Sequence, residues 1–238
     1  MSIGLNKGAF LFYTLMTGAA FLFFTNSTVS DMQQQHWPQL KKGTPAWRIA
    51  TTYAEVAGAF NFMLAATTCP GPRGYLLAMG TLVGMMTKHM LVDDLMPPPP
   101  VIVLGVGGFV VAAYAFFNDN KWGKWAFLAN NAVNAAAFLF MPLTPLRDSF
   151  PDSNGLGLVI GLLFMEVIGY HCVMCLLTCC PGDLGRAMAM TAGIVLMAKH
   201  NYVDNVGPPM PVAVMMCAAT AACWYGHLTS KGGKSKSA

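Results

Sequence analysis

The sequence predicts an all-α integral membrane protein with eight transmembrane helices, arranged as two parallel four-helix repeats. Three observations predict this fold. First, 55% of the 238 residues are hydrophobic and only 10% are charged, whereas soluble domains carry about 25% charged residues. Second, eight apolar stretches are long enough for membrane helices. Third, five short motifs recur in the second half of the chain at one constant spacing.

The eight stretches are separated by helix-breaking residues. A helix needs about 20 residues to cross about 30 Å of hydrocarbon, and proline ends helices because it lacks a backbone N–H. We read the first stretch as a retained helix, since no small-residue cleavage site follows it. In order, the stretches are Gly8–Thr25, Arg48–Cys69, Gly74–Val92, Pro98–Phe117, Lys124–Met141, Leu156–Cys179, Gly185–Val203 and Pro209–His227.

The internal repeat is the most specific signal in the sequence. All five motifs recur 111 residues later without a gap, which indicates a tandem duplication. It predicts a first four-helix unit at 1–118, a second at 119–229 and a basic polar tail at 230–238. The motif pairs are Glu55-Val56-x-Gly58 with Glu166-Val167-x-Gly169, Cys69-Pro70-Gly71 with Cys180-Pro181-Gly182, Met86-x-Lys88-His89 with Met197-x-Lys199-His200, Val92-Asp93 with Val203-Asp204, and Pro97-Pro98-x-Pro100 with Pro208-Pro209-x-Pro211.

The orientation of the predicted spans follows from helix number and basic residues. Four helices per unit is an even number, so both units enter the membrane from the same side, about an axis near the membrane normal. The side that carries both termini holds eight Lys and Arg residues. The opposite side holds four, when Lys88 and Lys199 near the helix ends are not counted. The positive-inside rule therefore predicts both termini on the cytoplasmic or matrix-like side of a bacterial inner, mitochondrial inner or photosynthetic membrane.

The repeat also selects the polar residues that matter to both halves. Of five histidines, only two match each other at the 111-residue spacing, and the matched acids are two glutamates and two aspartates. Counting turns from the helix ends places each Glu at the depth of the Lys-His pair, with the Asp four residues after the His on the same helical face. We therefore predict a polar cluster in each half, formed by Glu55, Lys88, His89 and Asp93 and by Glu166, Lys199, His200 and Asp204.

Two interpretations of these clusters remain open. An intramembrane carboxylate often marks a proton, ion or quinone site. A buried ion pair can instead lock two helices together, and it destabilises the fold when one partner is removed. The sequence predicts no catalytic residue, no metal site and no cofactor. Haem is disfavoured because charges flank both matched histidines, and Cys172, Cys175 and Cys179 have no counterparts in the first half.

The sequence also argues against several functional classes. It contains no Walker A motif, dinucleotide fingerprint, HExxH motif or nucleophile elbow. The net charge of +4 is small, and part of it lies in a short Lys-rich tail, which suits an anionic lipid surface better than nucleic acid. We therefore expect membrane lipids and other membrane-protein subunits as partners, and no nucleic acid.

One unit resembles the DoxX-like superfamily of four-helix membrane proteins. The resemblance rests on Tyr53-Ala54-Glu55-Val56-Ala57-Gly58, on Cys69-Pro70-Gly71 and on His89-x-x-Val92-Asp93-Asp94, and the second half matches through Glu166, Gly169, Pro181-Gly182, His200, Val203 and Asp204. The family pattern is a single unit, so this chain departs from it by the fusion of two. Because the family includes quinone-linked oxidoreductase subunits, redox-stress accessory proteins and assembly chaperones, the resemblance implies a fold more than a reaction.

These observations lead to two functional hypotheses. The first is a non-catalytic accessory or assembly subunit of a larger membrane complex, respiratory or photosynthetic in kind, because no cofactor motif is present and the loops are too short for a soluble active site. The second is a quinone-linked oxidoreductase component or a proton-coupled carrier that uses the duplicated clusters.

Overall fold

A computed structural model describes residues 4–180, 182–208 and 210–234, with side chains as far as Ser230. These residues form α-helices and no β-strand, which confirms the all-α class. The helices are α1 (Leu5–Phe23), α2 (Thr25–His36), α3 (Pro45–Ala66), α4 (Pro72–Leu91), α5 (Pro99–Phe117), α6 (Trp122–Phe140), α7 (Leu143–Ser149), α8 (Gly155–Thr178), α9 (Asp183–Tyr202) and α10 (Met210–Lys234).

Several of these helices are suited to a membrane. α5, α8 and the Met210–Ser230 part of α10 are long and apolar enough to cross one, and the number rises to five if the bent pairs α1–α2 and α6–α7 each count as a span. Membrane association is therefore supported, but the eight predicted spans are not confirmed. α3, α4 and α9 fall outside the set, and all three carry charged residues of the predicted clusters within their length.

Two short helices and one helix end differ from the sequence-based prediction. α2 turns by 91° from α1, and α7 turns by 97° from α6. The predictions missed α2 because its residues are mostly polar, and α7 because Pro142 was taken only as a helix breaker. The helix α10 also continues to Lys234, beyond the predicted end of the last span at His227, although its candidate membrane segment ends at Ser230. The rest of the predicted tail, 235–238, lies outside the described residues, as do Pro181 and Pro209 of the repeated motifs.

The central contact of the fold joins α3 to α8. α1 and α4 pack on the flanks of α3, and α6 and α9 pack on the flanks of α8. Contacts between α5 and α6 and between α10 and α1 then connect the predicted halves on both sides. Every one of these contacts has an equivalent under the assignment α1 to α6, α3 to α8, α4 to α9 and α5 to α10. The two halves consequently share one continuous core.

Backbone geometry is also matched at the 111-residue spacing. α4 and α9 begin and end at equivalent residues. Gly71 and Gly182, which precede them, have φ values of 64° and 69°, in the left-handed region that glycine adopts without steric cost. The turns after the two helices contain a second left-handed residue, Asp94 at 50° and Asn205 at 53°. Asp and Asn tolerate this conformation better than other non-glycine residues.

A close helix approach explains the glycine of the Glu-Val-x-Gly motif. A Cβ on Gly58 would lie 2.9 Å from the backbone nitrogen of Leu22 and 3.1 Å from the carbonyl oxygen of Gly18. α1 and α3 therefore touch backbone to backbone, as small residues allow in membrane helices. The equivalent Gly169 faces the Leu139 side chain of α6 instead, whose Cγ would lie 2.6 Å from an added Cβ.

Candidate functional site

The first cluster joins the middle of α3 to the C-terminal end of α4. The Lys88 ammonium donates a hydrogen bond to a Glu55 carboxylate oxygen and lies 2.8 Å from Asp93 Oδ2. The same Asp93 oxygen lies 2.7 Å from His89 Nδ1. The structure thus brings all four predicted residues of the first half into one network of opposite charges.

The turn after α4 positions Asp93 in this network. The backbone N–H of Val92 donates to the Lys88 carbonyl, and that of Leu95 donates to the His89 carbonyl at 3.0 Å. These bonds close the end of the helix and use carbonyl groups that would otherwise have no partner. Because the chain folds back here, the Asp93 carboxylate returns to the side chains one helical turn before it.

The second cluster repeats the lysine contacts but not the histidine contact. Lys199 donates to Glu166 and lies 2.9 Å from Asp204 Oδ2. His200 Nε2 lies 3.6 Å from Glu166 Oε2 and 3.8 Å from Asp204 Oδ2, which is too far for a hydrogen bond. All four predicted residues of the second half are therefore neighbours, but only the first half has a bonded His–Asp pair.

Both clusters lie at the edge of the helix bundle and are partly accessible. The side chains of Lys88 and Lys199 are each 37% exposed, whereas His89 and His200 are buried. Burial raises the pKa of the Asp93 carboxyl, but the Lys88 ammonium and the His89 N–H favour the carboxylate, and the net pKa lies below its ordinary value of 3.8. Asp93 is accordingly a carboxylate at neutral pH, where it pairs with the Lys88 ammonium and accepts from the His89 N–H.

The donor groups of each cluster could in principle bind a metal ion. One oxygen or nitrogen from Glu55, His89 and Asp93 lies within 4.8 Å of the others, and the equivalent second-half residues do the same. Imidazole and carboxylate are ligands that Zn²⁺ accepts. However, the Lys88 ammonium already contacts both carboxylates, so a divalent cation would have to displace a positive charge. The clusters therefore favour an internal ion pair over a metal ion.

A polar contact between the halves was missed by the sequence analysis. Asn61 on α3 donates from Nδ2 to His171 Nε2 on α8 at 3.0 Å, while its Oδ1 lies 2.9 Å from Thr17 Oγ1 on α1. His171 Nδ1 in turn lies 2.8 Å from the Val167 carbonyl oxygen. Selecting only residues repeated in both halves discarded this network, because its members differ between the halves.

The cysteines offer no comparable cluster. Cys172 and Cys175 are buried on α8, and the thiol of Cys179 donates to the Cys175 carbonyl. They pack as small apolar residues within the helix.

No protein-family model, curated protein or solved structure matches the chain.

Proposed function

We propose that this chain is an eight-span membrane protein, built from two tandem DoxX-like four-helix units, that acts as a non-catalytic accessory or assembly subunit of a larger membrane complex. Respiratory and photosynthetic membranes, which are rich in such complexes, are the favoured setting. Its partners are membrane lipids and the other membrane subunits of that complex.

The observation that carries this proposal is the internal pairing of both clusters. Each lysine ammonium contacts a glutamate from the preceding long helix and an aspartate from the following turn. The carboxylates of each cluster are thus paired with a lysine ammonium of the same chain. Such an arrangement fixes α4 to α3 and α9 to α8, and it supports a scaffold role in which helix position matters more than chemistry.

The count of eight spans is supported by helix length and by where the charges lie. α3, α4 and α9 contain 22, 20 and 20 residues, and a rise of about 1.5 Å per residue makes each about 30 Å long. Lys88 and Lys199 lie in the last turns of α4 and α9. Long basic side chains at that position can reach the interface while their stems stay in the apolar region.

The outer helices supply surface for lipid and for neighbouring subunits. In the described chain α5 and α10 each pack on only two other helices, and as far as Ser230 their remaining faces are mostly apolar. A contiguous apolar surface of this kind marks a membrane or protein contact. Large side chains more than half exposed on these helices are Val103, Val110, Tyr114 and Phe117 on α5, and Met210, Val214, Tyr225 and Leu228 on α10.

Short connections support a role without a soluble catalytic domain. The longest connection between helices of the described chain is 37–44. Segments of this size connect neighbouring helices in bundles and leave little material for an active site outside the membrane. The chain consequently presents helix surfaces as its main means of interaction.

Purification of the tagged full-length chain from its native membrane in a mild detergent tests the proposal. We expect it to elute in a stoichiometric complex with other membrane subunits, at a mass well above that of the chain in its micelle. A monodisperse monomer with no associated subunit would contradict the accessory role. Deletion of the gene should then lower the amount of the assembled complex.

A second candidate function is favoured by one specific contact, the His89–Asp93 pair. An imidazole bonded to a carboxylate can exchange a proton at its other nitrogen, which suits a proton-coupled carrier or a quinone-linked oxidoreductase component. In that case Glu55→Gln together with Glu166→Gln should stop turnover of the purified complex while its subunit composition stays intact.

A further inference from the structure

A cavity of about 80 Å³ lies between the two halves, beside the first cluster. Its walls come from α3, α4, α5, α6, α7 and α8, and they are almost wholly apolar. No Asp, Glu, Lys or Arg of the described chain is among the lining residues. The lining includes two phenylalanines, two methionines and two side chains with a polar end, which are Phe60, Phe138, Met86, Met165, Tyr53 and His89.

Two buried polar atoms in the residues of this wall have no partner. His89 is 3% exposed, and its Nε2 makes no hydrogen bond. The Tyr53 hydroxyl, on a side chain that is 5% exposed, has only the Ser149 side chain as a polar neighbour and makes no hydrogen bond of good geometry. A buried polar group without a partner destabilises the fold, because it has lost its hydrogen bonds to water. Native proteins rarely leave such groups unpaired, so these two atoms indicate a ligand.

The chemistry of His89 indicates which hydrogen-bonding group the ligand carries. Its Nδ1 lies 2.7 Å from the Asp93 carboxylate, and a carboxylate only accepts hydrogen bonds. Nδ1 of the neutral imidazole therefore carries the proton, and Nε2 is an acceptor. Asp93 acts as a positioning residue, since it fixes the tautomer and the ring orientation. The complementary ligand group is a donor, such as a hydroxyl.

The size and lining of the cavity indicate the rest of the ligand. A water molecule needs about 10–15 Å³ of such space and two to four polar partners. The cavity is several times larger than one water, but its wall offers few polar atoms. An uncharged ring fits better, because it can pack against the Phe side chains and the methionine sulfurs, which favour aromatic contacts.

We propose that this cavity binds a small neutral phenol, whose ring packs among the apolar side chains and whose hydroxyl donates to His89 Nε2. The Tyr53 hydroxyl is available to donate to the phenol oxygen. The site is confined to the first half for two reasons. The residue equivalent to Tyr53 in the second half is Phe164, which has no hydroxyl. His200 makes no hydrogen bond to Asp204, whereas His89 is held by its hydrogen bond to Asp93.

Calorimetric titration of the purified full-length protein in detergent, with 4-ethylphenol and with ethylbenzene as probes, tests this site. Each titration is corrected with detergent alone. We expect 4-ethylphenol to bind with a stoichiometry of one, and ethylbenzene to bind about tenfold more weakly, since it lacks the hydroxyl hydrogen bonds. Equal affinities, or no binding of the phenol, would overturn the proposal and indicate a cavity filled by water or lipid.

Variants locate the binding within the chain. Tyr53→Phe copies the residue of the second half and should fold, and we expect it to bind 4-ethylphenol about five- to tenfold more weakly. His89→Leu should bind more weakly still, whereas the matched control His200→Leu should keep the wild-type affinity. Wild-type affinity in Tyr53→Phe, or equal losses in His89→Leu and His200→Leu, would overturn the assignment.

Discussion

The Lys88 ammonium lies 2.8 Å from Asp93 Oδ2 while it donates to Glu55 on the neighbouring helix. One cation therefore links the end of α4, the turn that follows it and the middle of α3. The equivalent distance in the second half, from Lys199 to Asp204, is 2.9 Å. Two independent copies of the same three-point contact make helix fixation the main expected role of these residues.

Removal of one lysine should destabilise the protein. Lys88→Met leaves two carboxylates facing each other, and because the lysine side chain is 37% exposed, we expect a loss of about 1 kcal/mol in the free energy of unfolding. Lys199→Met should cost a similar amount. Denaturant unfolding in detergent measures both, with the exposed loop residue Lys42 changed to Met as control. Equal effects at Lys88 and Lys42 would contradict the helix-fixing role.

The contribution of Asp93 should depend on pH. Its pKa is lowered in the folded state. Below about pH 4 the unfolded state therefore binds more protons than the folded state. The stabilisation is complete above the ordinary pKa of 3.8 and is lost as the pH falls through the lower folded-state value. We expect the stability difference between wild type and Asp93→Asn to shrink as the pH falls below about 4. A difference that grows in acid would contradict this pairing.

The same lysine should control metal binding. With Lys88 in place, micromolar Zn²⁺ should leave the thermal midpoint of the protein unchanged, since the ammonium contacts both carboxylates. In Lys88→Met the donor groups of Glu55, His89 and Asp93 become available, and Zn²⁺ should raise the midpoint by binding the folded state. Loss of the shift on addition of EDTA is the control. A zinc-induced rise in the wild type would show that the lysine does not block the site.

Close packing of α1 against α3 gives a prediction about glycine. Gly58→Ala would place a methyl group 2.9 Å from the backbone of Leu22, and such overpacking costs about 1–3 kcal/mol. Gly84→Ala is the matched control, because nothing lies within 4 Å of the added atom and alanine favours helix. Gly169→Ala should fall between the two, since the Leu139 side chain must move and Phe138 Cβ, at 3.3 Å, must shift slightly, whereas no backbone atom is approached as closely as at Gly58. Unfolding free energies in detergent measure all three.

The proposed topology predicts where inserted tags are accessible. With eight spans, tags at both termini should be reached by antibody from the same side of sealed vesicles, and a tag inserted at Lys42 only from the other side. Vesicles opened with detergent should expose all three. Termini found on opposite sides would require an odd number of spans and would contradict the two parallel four-helix units.

Much of the arrangement could be predicted because the repeat constrains it. The Glu55–Lys88 contact follows from the depth of each residue in helices of known length. The helix breakers at Gly71 and Pro97 also allowed both ends of α4 to be predicted to within a few residues. The orientation of a side chain within a helix end is a tertiary property, so the different contacts of His89 and His200 could not be read from identical motifs. The same holds for the cavity beside Tyr53, which depends on helices of both halves.

The role of the two clusters can be measured by thermal unfolding of the Glu55→Gln, Glu166→Gln double variant, together with the subunits that co-purify with it. If the clusters fix helices within an assembly subunit, the midpoint should fall by more than in either single variant, and the associated subunits should be lost with it. An unchanged midpoint and an unchanged subunit composition would contradict helix fixation by the two clusters.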